Sequence, residues 1–357
     1  MSVSQNSSLT IGQTKPQPWR RWLIIAVSIG LMTLLLAPSL KRLSYNVWLG
    51  AIAAGLCFSF VAIGVLISFR ILDVPDLTLD GSLPLGAAIT AAMITAGYNP
   101  FISLLVAAAA GALAGATTAL ITTRLHIHSL LASILTTTAL FSINLHIMGK
   151  SNIPLLNEAT IFTPFAAPFQ KLILIWGGVT LARSANNLLA ILLVGGLVLL
   201  VKFIFDWFMR TEIGLAMRAT GSNPQMVRSV GVNTDTMIII GLAVGNALVG
   251  LSGAIFAQFQ GFADINMGTG LIIAGLAAVI LGETFFQPRK IVSASAAVLL
   301  GMVVYRLAIA AALNISLPMP GGAILRIDPL DVKLATAILV LAALGLTRLQ
   351  QKNKPRE

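Results

Sequence analysis

Three carboxylates, Asp73, Asp76 and Asp80, fall in the single stretch Arg70-Ile-Leu-Asp-Val-Pro-Asp-Leu-Thr-Leu-Asp-Gly-Ser-Leu-Pro84. Two prolines and a glycine predict that this stretch is not one continuous helix. Read functionally, the aspartates line or gate a solute path, because broken backbone at membrane depth survives only where it borders water or is buried in protein. Read structurally, they cap helix starts, where a carboxylate accepts the free N–H groups of a first turn. Asp264 presents the same choice, and Glu283 reads as the interfacial end of a span. Arg306 sits inside the apolar run Gly301-Met-Val-Val-Tyr-Arg-Leu-Ala-Ile-Ala. Such a charge either faces the protein interior or snorkels to the outer surface. Asn246 and Gln258-Phe-Gln260 supply polar groups that either bind helices together or line a pore.

None of these groups forms a catalytic set. The chain has no Gly-rich phosphate loop, serine elbow or His-Glu-x-x-His pattern, so it is expected to be no enzyme and to hydrolyse no ATP itself. One cysteine, Cys57, and three scattered histidines exclude a disulfide or metal framework.

A different chemistry is written in Glu212–Asp235, a polar, basic segment between two long apolar runs. It reads as helix, break, helix. Arg218 and Arg228 flank Gly221-Ser-Asn223-Pro224; Asn223 can cap a helix that opens at Pro224. Gly231-Val-Asn ends that helix. Short helices lying along the cytoplasmic face would give a soluble motor subunit something to grip.

The elements that must position these groups are membrane helices. The 357 residues are 57% hydrophobic and 10% charged, and apolar runs of about 20 residues recur, which defines an all-α polytopic membrane protein. Expected spans are roughly 22–38, 45–69, 82–97, 100–123, 129–147, 187–207, 236–258, 265–282, 291–313 and 331–347, about ten. With the N-terminus in the cytoplasm, fifteen of the 23 Lys and Arg fall inside and seven outside, the bias expected of a topology signal. The +11 charge therefore reports orientation in the lipid bilayer. No basic stripe with interleaved aromatics points to nucleic acid. Both termini and the 208–235 loop are placed in the cytoplasm. The chain divides into a basic extension (1–21), a membrane domain (22–347) and a basic tail (348–357). The outer loop 148–186 is expected to hold a short re-entrant or interfacial helix. Trp19-Arg-Arg-Trp22 reads as the positive flank of an uncleaved first span.

Asp76-Leu-Thr-Leu-Asp-Gly-Ser and Asp264-Ile-Asn-Met-Gly-Thr-Gly each precede a small-residue span, and the same offset carries Pro100 onto Pro288. Span parity makes the two halves an inverted repeat, an architecture common among transporters; a chance match of Gly/Ala-rich spans is the other reading.

Gly214-Leu-Ala-Met-Arg218-Ala-Thr-Gly221-Ser-Asn223-Pro224, Gly231-Val-Asn, Gly250-Leu-Ser-Gly253-Ala and Gly275-Leu-Ala-Ala-Val-Ile-Leu-Gly282 together resemble the permease subunits of ABC importers, in the branched-chain amino acid and ribose permease superfamily. Leu72-Asp-Val-Pro-Asp-Leu-Thr-Leu-Asp-Gly-Ser-Leu-Pro-Leu-Gly86-Ala87 and Ile134-Leu-Thr-Thr-Thr138 through Asn144 to Leu156 look like a subgroup of tryptophan/tyrosine-type permeases, mostly uncharacterised. The resemblance covers about 45–347. It departs in the N-terminal extension and in Asp264-Ile-Asn-Met-Gly. It implies a type II-like permease in a bacterial inner membrane, a homodimer working with two cytoplasmic ATPases and an extracytoplasmic substrate-binding protein. ATP would be held by the partner subunits, with no cofactor in this chain. Residues 212–235 then match the family's coupling loop, with Glu212, Arg218, Gly221, Asn223, Pro224, Arg228 and Gly231 as coupling residues. Asp76, Asp80, Asn246, Asp264 and Arg306 are the pathway candidates. A stand-alone secondary transporter driven by an ion gradient is the alternative.

Overall fold

A computed structural model describes residues 45–182, 184–288, 290–313, 316–318 and 324–326. The expected spans 22–38 and 331–347 and both basic tails lie outside the described residues. Helix α1 (Tyr45–Val65) runs on into one π-turn (Leu66–Ile71). It is followed by α2 (Thr78–Thr95), α3 (Pro100–Arg124), α4 (Ser129–Met148), β1 (Asn152–Pro154), α5 (Thr163–Ala182) and α6 (Ala185–Phe208). Two short helices come next, α7 (Glu212–Ser222) and α8 (Pro224–Ser229). The second half holds α9 (Thr234–Gln260), β2 (Phe262–Asp264), α10 (Leu271–Phe286), α11 (Ile291–Leu313), β3 (Ser316–Pro318) and β4 (Ile324–Arg326).

Six of these helices are long and apolar enough to cross a membrane: α1 with its π-turn, α3, α4, α6, α9 and α11. The shorter α10 is apolar as well. Expected and observed bounds agree within a few residues for α3, α4, α6, α9 and α11. They differ at α2 and α10. The sequence expectation breaks the chain from 70 to 84, but the helix resumes at Thr78 and carries Gly81 and Pro84 inside it. Pro84 removes the N–H that would bond the Asp80 carbonyl, and Gly268 comes in against that carbonyl instead: a Cβ there would lie 1.8 Å from the Asp80 oxygen. Helix α10 starts only at Leu271, because 262–270 is spent on a strand and a turn. In the 148–186 segment, α5 is a 20-residue helix with Pro168 inside it, longer than the short apolar core of the segment suggested.

The helices meet backbone to backbone. A Cβ on Gly86 would lie 1.9 Å from the Gly250 carbonyl oxygen, and one on Gly253 2.0 Å from that of Leu83, so α2 and α9 approach as closely as main chains can. Gly111 and Gly115 bring α3 equally close to α9. Small residues at membrane-helix crossings give dispersion contact that side chains would prevent. Helix α1 is the most enclosed of the six, while α4 and α6 expose their outer faces, with Leu135, Leu199 and Phe203 uncovered. The pair β1–β2 ties the 148–186 segment to the link between α9 and α10, in the antiparallel register Asn152↔Asp264.

Candidate functional site

The polar loop folds as its capping residues dictate. The Thr211 side chain accepts the Gly214 N–H, opening α7. The Asn223 side chain accepts the Met226 N–H at 3.0 Å and Pro224 takes the first helical position, opening α8. Gly231, at φ +88°, closes it in the left-handed conformation that favours glycine. Arg228 folds back on its own loop, donating to Thr234 Oγ1 (2.6 Å) and Asp235 Oδ1 (3.1 Å). Arg218 and Glu212 are exposed on α7. Around them the surface carries Ile213, Leu215, Met226 and Val230, all uncovered.

The inner face of α7 packs on the break that follows α1. Met217 is fully buried. A Cβ on Gly221 would lie 1.9 Å from the Ile71 carbonyl oxygen, and one on Gly241 of α9 2.4 Å from Leu72 Cδ1. One residue beyond Leu72, Asp73 takes φ +55°, an uncommon conformation for a residue other than glycine. The loop helices, the π-turn and the broken segment therefore form one contiguous contact chain.

That chain leads to a buried polar network. Asp76 is fully enclosed. Its Oδ1 accepts the Thr78 N–H (2.8 Å) and its Oδ2 accepts an N–H from Asn246 Nδ2 (2.7 Å). Asn246 also donates to the Leu242 carbonyl (2.9 Å), and its Oδ1 accepts the Ser82 hydroxyl (2.6 Å). Thr78 and Thr118 share a hydroxyl bond of 2.7 Å. The network thus ties the broken segment to α2, α3 and α9. Buried polar groups of this kind are favourable only when satisfied, and both amide hydrogens of Asn246 are used.

Asp80 reaches the other half of the chain, accepting the Ile272 N–H at 3.0 Å in the first turn of α10. From the π-turn after α1, Arg70 donates to Glu283 Oε1 of α10 at 2.8 Å. Asp264 lies elsewhere. It ends β2, half-buried, where it accepts the Asn266 N–H (2.8 Å) and an N–H from Asn152 Nδ2 (3.4 Å). Asp76 and Asp264 share the turn in which a carboxylate accepts the N–H two residues on, but not their surroundings.

Arg306 faces the bundle. Its guanidinium carbon stands 3.8 Å from the centre of the Phe58 ring and 6.0 Å from that of Phe256. The structure thus brings together Asp76 and Asn246, and leaves Asp80, Asp264 and Arg306 with other partners.

A second polar cluster was missed. Lys202 donates to Asp206 Oδ2, and the Ser295 hydroxyl donates to Asp206 Oδ1 at 2.7 Å, joining α6 to α11. The signal was present, since opposite charges four residues apart inside an apolar run face each other on a helix.

The six long apolar helices define a polytopic helical membrane protein. The chain belongs to the branched-chain amino acid transport system permease component family, whose model matches residues 47–344. It is 34% identical over 290 residues to a tyrosine transport system permease protein of Clostridioides difficile (strain R20291), covering 81% of this chain and 88% of that one. It is 29% identical over 304 residues to an uncharacterised protein of Rickettsia prowazekii (strain Madrid E), covering 84% and 97%. A shorter stretch, 100 residues at 33% identity, matches the autoinducer 2 import system permease protein LsrC of Escherichia coli (strain K12 / DH10B), 28% of this chain and 29% of that one. No solved structure matches.

Proposed function

We propose that this chain is the membrane subunit of an ATP-driven importer for a small solute, an amino acid or related compound. Separate ATPases would drive it through the 212–235 loop. The observation that carries this reading is the packing of α7 on the broken segment: with Gly221 against the Ile71 carbonyl, a push on the loop moves residues 71–76 directly. Exposed Ile213, Leu215, Met226 and Val230 beside Arg218 supply the apolar and basic surface a docked ATPase would cover. The name of the Clostridioides relative favours an aromatic amino acid as the solute. ATP is bound by the partners, and this chain holds no cofactor. A binding protein supplies solute affinity outside, and a second permease copy completes the pathway. ATP binding closes the ATPases and shifts the permease between states through contacts that differ in the two.

The reading extends to topology: about ten spans in a bacterial inner membrane, with both termini cytoplasmic and the halves related as an inverted repeat. The order helix, break, helix, turn, helix in α1–α2–α3 and again in α9–α10–α11 supports the repeat. Single cysteines at Ser222 and Asn157, introduced after Cys57→Ser, test the orientation. Impermeant reagent added outside labels position 157 and spares 222; the reverse pattern overturns the topology.

Arg218→Glu tests the coupling role. Charge reversal at a complementary docking surface costs several kcal/mol, so the ATPase subunit is expected to be lost on co-purification and uptake to fall with it. Unchanged complex yield and uptake remove the loop from that role. Ion-driven transport by this chain alone has one observation in its favour, the buried Asp76 with its Asn246 and Thr78 partners. Uptake that survives an inactivated ATPase but collapses with a protonophore would select it.

A further inference from the structure

Arg306 carries a charge whose Nε–H finds no acceptor among the described residues. Phe58 from α1 and Phe256 from α9 pack against each other, ring centres 4.4 Å apart, and the guanidinium lies over the Phe58 face. Stacking on a ring face stabilises the cation but uses none of its five N–H donors, which project from the edge of the plane. Among the described residues no carboxylate pairs with it and no hydrogen bond satisfies its buried Nε. Its backbone neighbourhood is tight: a Cβ on Gly55 would lie 3.5 Å from Arg306 Cβ and 3.0 Å from Val303 Cα, so α1 and α11 hold the residue in place. Arg306 is nonetheless only half-buried, so its outer edge is not sealed by protein.

An arginine in this setting is costly within a membrane unless a partner answers its donors. A planar oxyanion does so bidentately while the ring stack keeps the guanidinium plane fixed. We infer that Arg306, held on Phe58 and Phe256 at the junction of α1, α9 and α11, binds the carboxylate of the transported solute, so that the chain carries carboxylate-bearing solutes. This deepens the importer reading above and rests on it. Glycine at 55 keeps the two helices close enough for the stack, and the aromatic pair adds an apolar wall beside the carboxylate that suits an aromatic or aliphatic body. The same donors could instead meet a lipid phosphate.

The test uses the full-length permease purified with its ATPases. Thermal unfolding is followed with L-tyrosine, L-leucine, tyramine (the same body without the carboxylate) and D-ribose as probes. L-Tyrosine or L-leucine is expected to raise the midpoint by about 2 °C at saturation, tyramine and ribose to leave it unchanged. In Arg306→Gln that shift is lost, and Arg306→Lys, which keeps charge but not the fork, retains only part of it. ATPase co-purification and the unliganded midpoint report whether each variant is folded and assembled, independently of binding. A shift of equal size with tyramine, or one that persists in Arg306→Gln, overturns the inference. So does the absence of any carboxylate-dependent shift. Native mass spectrometry resolves the lipid source: a bound phosphatidylglycerol lost in Arg306→Gln, with no carboxylate shift in the parent, assigns the site to lipid and overturns the solute role. Failure of the importer reading itself would show separately, as an ATPase that does not co-purify with the unmodified chain.

Discussion

Gly221→Ala is expected to lower ATP-dependent uptake about tenfold or more while the chain still inserts. The added methyl has nowhere to go, because its ideal position is 1.9 Å from a main-chain oxygen, that of Ile71, which no rotamer change can move. Overpacking of this kind costs about 1–3 kcal/mol. Here it is relieved by lifting α7 off the broken segment, the contact proposed above to pass force inward. Gly196 on α6 is the matched control: a Cβ there meets no neighbour within 4 Å, so Gly196→Ala should leave uptake unchanged. Uptake per unit of membrane-inserted protein, together with co-purified ATPase, separates the outcomes. Gly221→Ala with control-level uptake would remove this contact from the transport cycle.

Asp76→Ala should be the most damaging single change in the polar network. It leaves the Thr78 N–H and one N–H of Asn246 without acceptors in a dry site, at about 1–3 kcal/mol for each orphaned donor. Inserted protein is therefore expected to fall severalfold. Asp76→Asn is the more informative variant. Its carbonyl oxygen can still accept from Thr78, but its amide then faces the Asn246 amide, donor against donor. The chain should insert while uptake drops about tenfold. Asp264→Asn, by contrast, keeps an acceptor for the Asn266 N–H at a half-buried strand end and should be nearly silent. If Asp76→Asn transports like the parent, the network only holds helices together.

Much of this was legible in the sequence, for identifiable reasons. Long apolar runs fix membrane helices through periodicity-free hydrophobicity, so α3, α4, α6, α9 and α11 fall where composition puts them. The Asn223-Pro224 and Gly231 signals act within a few residues of themselves, and the loop helices follow them. What could not be read is what depends on distant partners. Pro84 argues locally for a break, yet the helix passes through it, and the backbone of Gly268, far along the chain, packs directly against the freed carbonyl. The same limit applies to Asp76 and Asp264, whose matching local patterns end in unlike surroundings once Asn246 meets one and Asn152 the other. Arg306 left two orientations open, and only the rings of α1 and α9 decide between them. The pair Lys202 and Asp206 was visible at helical spacing, but its third member, Ser295, was not.

The glycine notches also bear on how the molecule can move. Main chains seated on one another, as at Gly86 on Gly250 and Gly253 on Leu83, cannot slide by small steps, since any displacement drives an oxygen into a Cα. Helices α2, α3 and α9 must then travel as one rigid block. Helix α1 is seated on α9 in the same way, since a Cβ on Gly64 would lie 2.8 Å from the Gly245 carbonyl oxygen, so it belongs to that block. Kinematically, α1, α2, α3 and α9 are one arm, and each glycine notch resists bending within it.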